Sequence, residues 1–117
     1  MNVADLLRSL RHEAQSRAYV DRLVVFDQSA SLLKARLYIG ADLFIQIYRN
    51  DRFDTTNLVL MHNEQRVYAR DQLGGVWHRH TTADPQAHDT STAGRQPVGL
   101  AEFLDEVEEV LAAFGLP

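Results

Sequence analysis

Between Val76 and Asp89 the chain reads VWHRHTTADPQAHD. This stretch holds three of the five histidines and the single tryptophan. Histidine titrates near neutral pH, so it can act as general acid, general base or metal ligand. His78 and His80 stand two apart on a stretch that reads as extended. Their imidazoles then leave the same face about 7 Å apart. His88 is placed to return from the following loop as a third group.

Two chemistries suit that set. In the first, His78, His80 and His88 hold a divalent metal such as zinc, with Asp89 as a further ligand or as an orienting partner. In the second, no cofactor is needed. Cleaving an RNA phosphodiester requires a base for the 2′-hydroxyl, an acid for the leaving oxygen and a cation for the phosphoryl oxygens. His78, His80 and His88 would supply the catalytic groups, and Arg70 and Arg79 the cation. Trp77 or Tyr68 would stack a base, with Asp71 and Asp89 orienting the rings. The plain alternative is a polar edge and loop without chemistry, with Trp77 packed in the core. His12 and His62 have no comparable surroundings.

These groups need a scaffold. The chain's 117 residues fit a single domain, residues 1–117. Val3, Leu6, Leu7, Leu10, Ala14 and Ala18 form one helical stripe, with Asn2 as its cap and Asp5 completing a variant capping box. From Val20 the apolar spacing becomes two, which predicts a meander of five or six strands. These are Val20–Phe26, Ser31–Ile39, Leu43–Tyr48, Asn57–Met61, Arg66–Asp71 and Val76–His80. Asp27–Ala30, Gly40-Ala41, His62–Gln65 and Gln72–Gly75 read as turns, and Arg49–Asp54 as a loop. Thr81–Pro97 has no sustained period and reads as a loop. Leu100, Phe103, Leu104, Val107, Val110, Leu111 and Phe114 recur at three and four, a second helix closed by Gly115 and followed by Pro117.

The expected architecture is α+β: an antiparallel meander with both helices on one face. The other face carries Lys34, Arg36 and Gln46 beside Leu32, Tyr38, Phe44 and Tyr48, a surface suited to a homodimer or a binding partner. If the hairpin loop after Asp71 has an even number of residues, Arg66, Tyr68 and Arg70 share a face with Trp77 and Arg79. Val67, Ala69 and Asp71 then share the other with Val76, His78 and His80.

Composition narrows the classes further. The net charge is −4 and the pI about 5.6, which disfavours a nucleic-acid grip over the whole surface. No apolar run is long enough to span a bilayer. The N-terminal stretch is too charged for a signal peptide. There is no cysteine, which excludes disulfides and thiolate metal sites. A cytoplasmic protein with no membrane role is expected.

The order Arg70-Asp71, Trp77-His78-Arg79-His80, Asp84-Pro85-Gln86-Ala87-His88-Asp89, then LAEFLDEVEEVL from Leu100, resembles the TumE family of toxin components from toxin–antitoxin operons. The resemblance spans roughly residues 20–111 and is most specific between Arg70 and Val107. Arg70 and Asp71 match the family's arginine–aspartate step, His78 and His80 its paired-histidine element, and Pro85 with His88 its proline–histidine element. Gln72 replaces an asparagine of that pattern, Gln86 and Ala87 replace histidines, and the paired-histidine element lacks its proline. The resemblance implies a cytoplasmic toxin with a small antitoxin protein as partner. Small toxins of such operons often act on RNA. The alternative function is a non-catalytic binding or dimerisation module.

Overall fold

A computed structural model describes residues 1–116; the expected stop at Pro117 lies outside them. The elements are α1 (Val3–Ser16), β1 (Arg22–Gln28), β2 (Leu32–Gly40), β3 (Leu43–Asn50), β4 (Thr55–His62), β5 (Gln65–Leu73), β6 (Val76–His80) and α2 (Leu100–Phe114). The six strands form one sheet in sequence order, with every neighbouring pair antiparallel. The protein is therefore α+β, as its spacing predicts.

Helix ends follow local chemistry. Asn2 Oδ1 accepts the Asp5 amide at 2.8 Å, satisfying one of the unpaired donors of the first turn. The Asp5 carboxylate instead takes the Arg8 guanidinium at 2.9 Å, so the expected capping box is half formed. α1 ends at Ser16 rather than Ala18, because Arg17 turns to extended backbone. At α2 the Glu102 carboxylate accepts the Gly99 amide at 3.4 Å. Gly115 adopts the left-handed conformation that ends the helix.

Several strands run longer than their apolar spacing suggests. β3 continues to Asn50 and β4 begins at Thr55. Arg49 explains this: its guanidinium donates to Asp51 at 2.8 Å, Thr56 at 2.9 Å, Gln72 at 3.2 Å and Asp54 at 3.0 Å. A buried charge needs such a set of partners, and these tie the short β3–β4 connection to β5. β5 likewise continues to Leu73 because Gly74 and Gly75, at φ 56° and 85°, make a two-residue hairpin alone.

Register sorts the side chains into rows. On one face, Ala35, Ile47, Leu58, Arg70 and Arg79 stand opposite one another in turn, flanked by a row that runs from Leu37 through Ile45 and Leu60 to Tyr68. The apolar members of these rows belong to one buried cluster with Val3, Leu6, Leu7 and Leu10 of α1 and Phe103, Leu104 and Val107 of α2. On the other face lie three outer rows. The first is Asp27, Lys34, Tyr48, Asn57, Asp71 and His78; the second is Val24, Arg36, Gln46, Val59, Ala69 and His80. The third is Arg22, Tyr38, Phe44, Met61 and Arg66.

Arg66 departs from the expected grouping with Tyr68 and Arg70. The register shifts between Leu60 and Met61, leaving Val67 as the extra residue. Such a bulge changes which face the flanking side chains occupy. Arg66 therefore pairs with Met61 in the outer rows.

The α2 stripe is shorter than its periodicity. Phe103 is fully buried, whereas Phe114 is 52% exposed. Phe103→Ala should lower unfolding stability by about 3–5 kcal/mol. Phe114→Ala should cost less than about 1 kcal/mol. Urea titration of both variants checks this, and equal losses would place Phe114 in the core.

Candidate functional site

The two-glycine hairpin fixes the site. It sets Asp71 opposite His78 and Ala69 opposite His80. Asp71, His78 and His80 then project from the same face, as the even-loop condition requires. Ala69 lacks the bulk to separate His80 from Asp71. His80 Nε2–H donates to Asp71 Oδ2 at 2.9 Å. His78 Nδ1 lies 3.3 Å from Asp71 Oδ1. Neither of those two buried atoms has a hydrogen-bond partner among the described residues.

His88 arrives from the 81–97 loop. Its Nε2 is 4.0 Å from Asp71 Oδ2. Its ring stacks on His78 with centroids 4.8 Å apart and meets His80 edge-on at 4.7 Å. One carboxylate thus gathers three imidazoles. The rings differ in access: the His80 side chain is 3% exposed, His78 19% and His88 50%.

His80 is held at both nitrogens. Its Nδ1 lies 3.0 Å from the Pro85 carbonyl and 3.2 Å from Arg66 Nη1. Neutral His80 accepts from Arg66 there. Protonated His80 donates to Pro85 instead. Both states keep the Nε2–H on Asp71, so ring orientation survives a change of charge.

The loop is fastened to the sheet at three places. Pro85 meets His80. Asp89 pairs with Arg79 through the backbone and through its carboxylate, with Nε to Oδ2 at 2.8 Å. Ala93 accepts from Arg70 at 2.9 Å. Gly94 closes the loop so tightly that a Cβ there would sit 2.2 Å from the Asp89 carbonyl oxygen. The segment is irregular but well anchored, and His88 is placed by its neighbour Asp89.

Of the nine residues with expected roles, Asp71, His78, His80 and His88 converge. The other five lie elsewhere. Tyr68 and Trp77 are buried in the core cluster, and Tyr68 stacks on Phe103 at 6.0 Å. Trp77 thus takes the core role rather than base stacking. Arg70 makes a two-pronged ion pair with Glu106 of α2 at 3.0 and 2.6 Å, and Arg79 is committed to Asp89. Both arginines stand in the core rows, opposite the histidines, so neither reaches a phosphate held there. Asp89 anchors the loop rather than orienting a ring. The cation beside the imidazoles is Arg66, which sequence spacing assigns to the wrong face because the bulge at Val67 leaves no mark in composition.

For a metal, the donor atoms that come together are those of Asp71, His80 and His88, all within 4.8 Å of one another. This differs from the expected trio of histidines, since His78 turns its Nδ1 toward Asp71 Oδ1.

Hydrogen bonds from Ser91, with the Arg79 guanidinium, hold the Asp89 carboxyl down at about 2, below its ordinary value of about 4. A depressed carboxyl contributes stability that is present above the ordinary value and lost as pH falls toward the folded one. Amide protection across residues 81–97, taken relative to the intrinsic exchange rate at each pH, should therefore fall as pH falls from about 4 toward 2. Asp89→Asn should show the same loosening at pH 7. Unchanged protection in Asp89→Asn would mean that other contacts hold the loop.

Compared with protein-family models, curated protein sequences and solved structures, the chain matches none.

Proposed function

We propose that this chain is the toxin component of a toxin–antitoxin pair and acts as a metal-independent ribonuclease. One observation carries the reading: His78 and His88, both reachable from solvent, stack on each other beside the Asp71 carboxylate, and the Arg66 guanidinium joins the same cluster through His80, 3.2 Å from its Nδ1. That combination supplies each group that RNA cleavage needs. The resemblance to TumE-like toxins supports it further, because Asp71, His78, His80, Pro85 and His88 of the matching elements all meet at this cluster.

The division of labour follows from access. A neutral ring of the His78–His88 pair takes the 2′-hydroxyl proton. The 2′-oxygen attacks phosphorus, and the other ring, protonated, gives its proton to the departing 5′-oxygen. The products are a 2′,3′-cyclic phosphate and a free 5′-hydroxyl. Arg66 faces the charge that gathers on the phosphoryl oxygens. His80, buried and bonded at both nitrogens, is a positioning residue for Asp71.

In this reading both helices cover one sheet face and leave the histidine face open to substrate. A small antitoxin occupying that face would silence the protein. Cytoplasmic residence and a homodimer belong to the same proposal.

A second reading has one supporting observation, the Asp71–His80–His88 spacing. These nitrogen and oxygen donors suit zinc, but His80 would have to give up its hydrogen bond to Asp71. Calorimetry with zinc tests it: tight binding lost in both His80→Ala and His88→Ala would favour a metal centre.

Purified protein should cleave bulk RNA in the presence of EDTA. His78→Ala and His88→Ala should each lose about 10²–10⁴-fold in rate. Arg66→Gln should lose about 10²–10³-fold. The rate should follow a bell-shaped pH profile. Folded wild-type protein that leaves RNA intact, or variants that cleave as fast as wild type, would end the ribonuclease reading. Induced expression should arrest growth for wild type and not for the triple histidine-to-alanine variant.

A further inference from the structure

The cations on and beside the sheet fall into two groups. Arg17, Arg49, Arg70 and Arg79, in or beside the core, each close an ion pair with a carboxylate. Arg22, Lys34, Arg36 and Arg66 stand in the outer rows, and among the described residues none of them closes one. Asp27 faces Lys34 across β1–β2 in register without forming an ion pair. The outer strand rows hold these four cations against the carboxylates of Asp27 and Asp71. This positive surface lies on a chain whose net charge is −4.

Aromatic rings alternate with those cations. The Arg36 guanidinium lies 4.2 Å above the Phe44 ring and 5.2 Å above Phe26; Arg22 lies 4.7 Å above Tyr38. Tyr48 is the next ring in the row that ends at Asp71 and His78. The middle row is low, with Val59 and Ala69 at its centre. The result is an open groove of about 660 Å³, lined by Phe26, Lys34, Arg36, Tyr48, Met61 and Arg66. Gln86 also lines it, next in sequence to Pro85, whose carbonyl contacts His80. Arg66 belongs to both the groove and the histidine cluster.

We infer that this outer sheet face is a track for single-stranded RNA, running across the strands toward the histidines; the inference rests on the cleavage reading for the identity of the scissile end. Unneutralised cations select a polyanion. Interleaved rings select a strand whose bases are splayed and free to stack. Duplex RNA keeps its base faces stacked inside the helix and could not use Phe44 or Tyr48. From β1 to β6 the face measures about 24 Å at the usual strand spacing, enough for several nucleotides. Arg36, over two rings and donating one N–H to the Tyr38 hydroxyl at 3.4 Å, can meet phosphate without an ion pair to break first.

The experiment uses a 2′-O-methyl oligouridylate of about eight residues, a length within the usual span of single-strand sites. It lacks the attacking hydroxyl, so binding is read without cleavage. Fluorescence anisotropy should show binding at low salt, with log K falling against log salt by about 0.7 per phosphate contacted. Lys34→Gln and Arg36→Gln should each weaken binding several-fold and flatten that slope. Tyr48→Ala should weaken binding about tenfold. Arg11→Gln, exposed on α1, should change nothing. Near-ultraviolet circular dichroism verifies the fold of each variant, and Lys34, being exposed, gives a substitution that folding tolerates. No binding at low salt would overturn the track, as would equal weakening by Arg11→Gln. The dinucleotide UpA separates the two proposals, because it needs only the histidine cluster. UpA cleaved while the octamer stays unbound overturns the track and leaves the ribonuclease. The octamer bound while UpA and long RNA stay intact overturns the ribonuclease and leaves the track.

Discussion

The register of the β5–β6 hairpin is the constraint on which the site depends. Side chains alternate faces along a strand, so a slip of one residue would carry His78 and His80 to the core and Trp77 to solvent. Gly74 and Gly75 prevent that slip. Both hold left-handed backbone, the conformation a two-residue hairpin demands and a side chain resists. Burial of Trp77 on one face reinforces the same register that sets His78 opposite Asp71 on the other. Core packing and site assembly are thus one choice rather than two.

Charge is distributed by the same alternation. In the core rows an arginine cannot stay unpaired, so Arg70 takes Glu106 and Arg49 takes Asp51 and Asp54. Breaking the Arg70 pair would strand a buried charge, which is far more costly than losing a surface contact. In the outer rows water and aromatic faces satisfy Arg22, Lys34 and Arg36 without carboxylates. An acidic protein can therefore present one cationic face. Net charge alone argues against nucleic acid; the segregation by strand parity removes that objection.

The fold was legible because periodicity reports burial. Leu33, Ala35 and Leu37 alternate with Lys34, Arg36 and Tyr38, and the sheet buries the first set. Helix α2 was legible for the same reason, except that Phe114 continues the stripe beyond the surface it could cover. The site was half legible. The spacing of His78 and His80 predicts their common face; that Asp71 joins them depends on an even-numbered hairpin loop, a parity the sequence leaves open and the two-residue Gly74-Gly75 loop supplies. Arg70 and Arg79 misled because sequence marks a residue as cationic without saying whether a carboxylate already holds it. Glu106, the partner of Arg70, lies 36 positions away. Arg66 was hidden by the bulge, a backbone event with no residue type to announce it.

His88 poses a different problem, since no period relates a loop residue to a strand. Its position follows from contacts that the strands offer to the loop. Pro85, Asp89 and Ala93 dock on His80, Arg79 and Arg70, which belong to both sheet faces of the same hairpin pair. The loop therefore grips the edge of the sheet from both sides, and His88 lies between two of the three fasteners. A ring held that way can stack on His78 while remaining half exposed. Such placement suits the proton exchange that the proposed cleavage would ask of this ring: rigid enough to share a carboxylate, open enough to be reached. The same fasteners make loop docking dependent on a completed β5–β6 pair, so the histidine cluster is whole only where the hairpin register is set.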